Sequence, residues 1–77
     1  MDRLPLSYIK VYLMNNIVGW IIGRGGWRIK SIERDTFTTI LHHNREIDSY
    51  FSIEGSYKDV HKARVILQDL ERAYYER

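Results

Sequence analysis

Residues 17–26 read Ile-Val-Gly-Trp-Ile-Ile-Gly-Arg-Gly-Gly, an apolar run that ends in three glycines and an arginine. Gly23, Gly25 and Gly26 let the backbone turn sharply and meet a ligand without Cβ interference. Arg24 sets a positive charge at the tip of that turn. The next ten residues, Trp27 to Thr36, add Arg28, Lys30 and Arg34 and place Ile29 and Ile32 at helical spacing. A second helix therefore starts at the loop, with its free N–H groups and positive dipole end facing the same space as Arg24. Two other glycine motifs fail on spacing. A P-loop requires Gly-x-x-x-x-Gly-Lys-[Ser/Thr], but Lys30-Ser31 follows Ile29 and the residue five before Ile29 is Arg24. The dinucleotide fingerprint Gly-x-Gly-x-x-Gly is broken by Arg28.

Outward from the loop, the chain alternates between strand and helix patterns. Pro5 closes a short leader. Tyr8 to Leu13 alternates, with Ile9, Val11 and Leu13 on one side, as a half-buried strand does. Asn15 or Asn16 can cap a first short helix. Thr38 to His42 is rich in β-branched residues and reads as a second strand, and residues 43–46 as its turn. Ser49 to Ile53 reads as a third strand, with Phe51 and Ile53 inward and Gly55 as its stop. Ser56 caps a long helix, and Val60, Ala63, Leu67, Leu70 and Tyr74 form its apolar stripe. The order strand–helix–helix–strand–strand–helix predicts an α+β layer of one sheet covered by three helices.

Composition restricts the function classes. At 77 residues the chain is a single small domain, residues 1–77 with a core over about 7–72. It has no cysteine, so neither disulfides nor thiolate metal sites support the fold, and a reducing cell interior, cytoplasmic or nuclear, suits it. The longest apolar stretch, Ile17 to Ile22, is far too short to span a bilayer. The net charge of +2 is unevenly spread. Residues 1–34 carry six basic against two acidic residues, and residues 35–77 six against eight. The positive excess surrounds the glycine loop, as a polyanion site requires.

The chain also resembles the KH (K-homology) family of RNA-binding domains. That family's Val-Gly-x-Ile-Ile-Gly-x-x-Gly-x-x-Ile-Lys-x-Ile signature is matched by Val18, Gly19, Ile21, Ile22, Gly23, Gly26, Ile29, Lys30 and Ile32. Its later pattern is matched by Phe51, Ile53, Gly55, Val60, Ala63 and Leu67. The resemblance runs from about Ser7 to Leu70 and implies the type I KH fold, a three-stranded antiparallel sheet packed against three helices. It implies binding of about four unpaired nucleotides of RNA, or of single-stranded DNA in vitro, in an apolar groove beside the loop. The residues it points to are Gly19, Trp20, Ile22 and Ile29, the loop Gly23-Arg24-Gly25-Gly26, and the backbone near Thr39, Ile40 and Leu41. An edge strand's free N–H and C=O groups can read base edges. Trp27, Arg28 and Lys30 complete the candidate RNA-binding set.

Each of these residues also has a plainer reading. Trp20 and Trp27 flank the loop where family members commonly carry small or polar residues. Either ring can stack a base, or Trp20 can pack on the long arginine side chains while Trp27 stays exposed. Arg28 and Lys30 can equally be solvated helix surface. Phe37 stands where the family commonly has glycine, and its bulk is expected to reshape the lower groove. His42 falls where an inward aliphatic residue is usual, which suggests a partly buried histidine. Adjacent His42 and His43 point to opposite faces of a strand and cannot share a metal, and no carboxylate cluster accompanies His61. The expectation is a module in post-transcriptional RNA regulation or processing, with no catalysis, cofactor or metal. Its partners are RNA and the neighbouring domains or proteins of a larger assembly. The rival is a KH fold used for protein contacts or self-association through its tyrosine-rich outer faces.

Overall fold

The structure is a computed structural model that describes residues 6–46 and 49–77; the leader ending at Pro5 lies outside them. The elements follow the expected order, with strand β1 (Leu6–Tyr12), helix α1 (Asn15–Ile22), a 3₁₀ turn (Arg24–Gly26) and helix α2 (Trp27–Thr36). Strand β2 (Thr39–His43), strand β3 (Tyr50–Ser56) and helix α3 (Tyr57–Glu76) complete the chain. The sheet is antiparallel in the order β1-β3-β2, so β3 is central and both β1 and β2 are edges.

The strand alternation sets which side is covered. Val11, Ile40, Phe51 and Ile53 face the helices and are buried. They meet Ile17 and Ile21 of α1, Ile32 of α2, and Val60, Ala63 and Leu67 of α3 in one cluster. Leu70 and Tyr74 extend the predicted α3 stripe as half-buried residues. α3 starts as predicted, because the Ser56 hydroxyl accepts from the Asp59 N–H at 3.2 Å. α1 does not. Met14 is its N-cap, without a side-chain hydrogen bond, so neither Asn15 nor Asn16 caps it. Gly55 does not stop β3, which runs on to Ser56. It is buried because the α2–β2 connection passes close by: a Cβ there would stand 3.1 Å from Thr38 Cγ2.

That connection holds the one non-glycine residue with positive φ among the described residues, Phe37 at φ 57°, ψ 42°. It is the left-handed C-cap of α2, and its N–H bonds to Glu33 O. Beneath it the Thr36 hydroxyl donates to Ile32 O at 2.6 Å and accepts from the Thr38 hydroxyl at 2.7 Å. The Phe37 ring is 82% exposed, so the expected reshaping of the groove by its bulk is not seen. Phe37→Gly should stabilise the domain. The left-handed conformation costs a side-chain-bearing residue about 1–2 kcal/mol, partly offset by the larger unfolded-state entropy of glycine. A net gain of about 1 kcal/mol corresponds to a melting temperature higher by about 4–8 °C. No change on calorimetry would mean that the Phe37 backbone carries no strain.

Candidate nucleic-acid interface

The glycine turn is built from three positive φ values in four residues. Gly23 lies at φ 79°, ψ 170°, a region essentially restricted to glycine, and a Cβ there would come within 2.9 Å of Arg28 Cβ. Gly25 (φ 62°) and Gly26 (φ 79°) follow in the left-handed region, and a Cβ on Gly25 would meet open space. The turn delivers the chain into α2 with no side-chain cap and no acidic residue in its first turn. Gly26 N–H and Trp27 N–H are taken within the turn by Gly23 O and Arg24 O, while no side chain caps the N–H groups of Arg28 and Ile29 that follow. Arg24 and Lys30 are exposed, and among the described residues neither has a carboxylate partner. Trp27 stands beside them, 57% exposed.

Arg28 is placed differently. Its guanidinium donates to Trp20 O at 3.0 Å and lies 4.5 Å from the Trp20 ring centroid and 5.7 Å from that of Trp27. Trp20 in turn packs edge-on against Tyr74 of α3, centroids 5.4 Å apart. Arg28 thus ties α2 to α1 and Trp20 ties α1 to α3; for Trp20 this is the plainer reading open from sequence, whereas Arg28 is not the freely solvated surface residue of its own plainer reading.

An open cleft of about 320 Å³ lies between α1 and the far end of β2. Asn15, Val18 and Gly19 form its helical wall, and His42, Asn44 and Ser49 the other. Of the residues proposed from sequence only Gly19 lines it directly. Ile22 and Ile29 are half-buried and packed against the core at the α1–α2 junction. Val18 was legible as part of the glycine signature. Asn15, Asn44 and Ser49 carried no signal, because only the fold brings them together.

The edge of β2 also departs from expectation. Ile40 N donates to a Glu33 carboxylate oxygen at 2.8 Å, so its N–H points away from β3 and is already engaged. Alternate residues of an antiparallel strand turn their backbone groups toward the partner and away from it. Ile40 and His42 therefore face outward, while Thr39, Leu41 and His43 face β3. The Thr39 and Leu41 side chains lie on the sheet face away from the helices, and both are exposed. The backbone groups that β2 turns outward are Ile40 C=O and the His42 N–H and C=O, not those of Thr39 or Leu41. Glu33, one of two acids in the basic α2 segment, is the residue that sequence reasoning passed over.

His42 forms a wall of this cleft, with its ring on Phe51 at 5.0 Å and its Nε2 buried without a partner. Burial, and to a smaller extent the charge on neighbouring His43, holds its pKa below the ordinary value of 6.5. The unfolded chain then takes up this proton before the folded one does. This contribution to stability is complete above about pH 6.5 and is lost as the pH falls below it. The wild-type melting temperature should drop on going from about pH 7.5 to 5.5, and drop less in His42→Leu. Parallel pH profiles would show that His42 titrates as in the unfolded chain.

Similarity to known proteins agrees with this geometry. The sequence profile described as "KH domain" matches residues 9–69. A human protein described as a probable ATP-dependent RNA helicase DDX43 is 33% identical over 75 residues, covering 97% of this chain. The chain spans 11% of that relative's length. The solution structure of the first KH type I domain of human vigilin superposes with a TM-score of 0.84 at 20% identity, covering 100% of this chain and 84% of that one. The fourteenth KH type I domain of human vigilin gives 0.79 at 20% identity, covering 92% and 77%. At such identity these two likenesses speak for the fold alone, a three-stranded antiparallel sheet against three helices. With a profile match across most of its length, and with the glycine turn and sheet order described above, this chain belongs to the KH domain family.

Proposed function

We propose that the domain binds single-stranded RNA, about four nucleotides at a time. In this reading the Gly23–Gly26 turn lies against the sugar-phosphate backbone and the bases enter the cleft between α1 and the outer edge of β2. The observation that carries the reading is the glycine turn at the start of α2, which no side chain caps, flanked by Arg24 and Lys30, cations with no carboxylate partner among the described residues. Backbone N–H groups, a helix dipole and two mobile charges converge there on one space. Val18, Gly19 and the outward groups of His42 supply an apolar wall and hydrogen-bonding edges beside it. Trp27 is the ring free to stack a base, whereas Trp20 and Arg28 act by holding α1, α2 and α3 together. Single-stranded DNA presents the same phosphates and bases and is accepted in vitro. The domain binds and does not catalyse. A relative whose name is that of an RNA helicase suits a module that holds RNA for chemistry carried out elsewhere in a longer chain or assembly.

The test is a titration of single-stranded RNA pools followed by amide chemical shifts, repeated with duplex of the same sequences and at several salt concentrations. Shifts should centre on the glycine turn, Val18, Gly19 and His42. With two or three phosphate contacts, and about 0.7 counterion released per phosphate, log K should fall against log salt with a slope of roughly −1 to −2. Duplex should bind much more weakly, because its base edges are already paired. Equal affinity for duplex, or a slope steeper than about −4, would identify a diffuse basic patch instead.

A further inference from the structure

The sheet face opposite the helices carries a row of rings across all three strands. Tyr12, Tyr50 and His43 are in register, Tyr12 opposite Tyr50 on β1–β3 and His43 opposite Tyr50 on β2–β3. His43 stacks on Tyr50 with centroids 4.4 Å apart and planes at 10°, and Tyr12 lies 5.3 Å from Tyr50 on the other side. Lys10, one row further along the same face, holds its ammonium 4.9 Å from the Tyr50 centroid. The His43 and Tyr50 faces are turned toward each other across the strand gap, so the ring face that the row leaves open to a base is that of Tyr12 at its end.

Cross-strand pairing stabilises a sheet and accounts for Tyr50 and His43, whose rings cover each other. It accounts for only one side of Tyr12, which meets Tyr50 yet stays 57% exposed, and not for Tyr8 beyond it, 53% exposed. Exposed rings beside a cation, on a sheet face that no helix covers, are what single-stranded nucleic acid stacks on. The row also adjoins the cleft. His42 and Ser49 line the cleft, and the next residues along the chain, His43 and Tyr50, stand on the other face at the same end of the sheet. The acidic residue of this face, Glu54, sits at its opposite end between Tyr8 and Thr39. Among the strand residues of this face, the charge at the Tyr12–Tyr50–His43 end is that of Lys10.

We infer that a single-stranded RNA longer than the cleft passes round the edge of β2 and stacks a further base on the exposed ring of Tyr12, at the end of the Tyr12–Tyr50–His43 row, with Lys10 beside its phosphate. This inference rests on the proposed RNA-binding function, and its consequence is an affinity that grows with strand length beyond the four nucleotides of the cleft. The probes are a randomised RNA tetranucleotide and a randomised strand of about three times that length, titrated against wild type, Tyr12→Thr, Tyr12→Phe and Lys10→Gln. Threonine keeps strand propensity at an edge position, so the sheet survives loss of the ring.

Wild type should bind the longer strand more tightly than statistical site counting allows, with added shifts at Lys10, Tyr12 and His43. Tyr12→Thr should lose about ten-fold in affinity for the longer strand and nothing for the tetranucleotide. Lys10→Gln should lose a few-fold for the longer strand only, and Tyr12→Phe, which keeps the ring, should match wild type. Wild-type affinity of Tyr12→Thr for the longer strand overturns the inference. So does an equal loss for both lengths, or loss of self-association in sedimentation with RNA affinity intact, which would make the face a contact between copies of the chain. The cleft reading fails by a different sign: a tetranucleotide that does not bind wild type at all, or whose shifts avoid Gly19 and His42.

Discussion

Replacing Arg24 and Gly25 together by aspartate should reduce RNA affinity by more than about a hundred-fold while the domain continues to fold. The double change removes one positive charge from the tip of the turn and adds two negative ones. Each repulsion from a phosphate about 4 Å away is worth about 1 kcal/mol in bulk water and about 4 kcal/mol near a protein surface. The structure shows why Gly25 is the position to use. Open space surrounds a Cβ placed there, and its φ of 62° and ψ of 16° lie in the left-handed region that aspartate tolerates better than most residues. The cost to stability is on the order of 1 kcal/mol. Gly23 would be the wrong choice, because a Cβ would come within 2.9 Å of Arg28 Cβ and disturb the bond that ties Arg28 to Trp20. Calorimetry and RNA titration on the same sample separate the two effects. A folded double variant with unchanged affinity would remove the glycine turn from the binding site.

Phe51→Ala should have the largest effect on the fold itself. Phe51 is 1% exposed on the central strand, directly beneath the His42 ring that walls the cleft. Truncating a buried phenylalanine typically costs about 3–5 kcal/mol, as lost transfer energy plus the cavity left behind. A chain of this length has a total stability of about 4–12 kcal/mol by per-residue scaling. The melting temperature should therefore fall by at least about 12 °C. The variant should also bind RNA poorly even below its transition, because His42 loses the surface it rests on. Phe51→Leu should cost much less, with binding largely kept. A melting temperature within a few degrees of wild type for Phe51→Ala would show that the core repacks around the gap.

Sequence alone determined the element order, the strand faces carrying Val11, Phe51 and Ile53, the α3 stripe, the Ser56 cap and the glycine turn. Each follows from periodicity or from a local rule: period two on a strand, three to four on a helix, an oxygen at a cap, a glycine at positive φ. These patterns are written in consecutive residues, so no distant contact is needed to read them. Tertiary structure alone decided the pairing order β1-β3-β2, which makes β2 and β1 the two edges. It also decided that Glu33 occupies the Ile40 N–H, that the backbone of His42 rather than of Thr39 or Leu41 faces outward beside the cleft, and that Arg28 packs on Trp20 and Trp20 on α3. Tyr12, Tyr50 and His43 form one row only once the register is set, because strand pairing brings Tyr50 beside one residue 38 positions away and another 7 positions away in the chain. Side-chain and backbone directions at an edge depend on register and on what packs across it, and a one-residue slip would exchange every face.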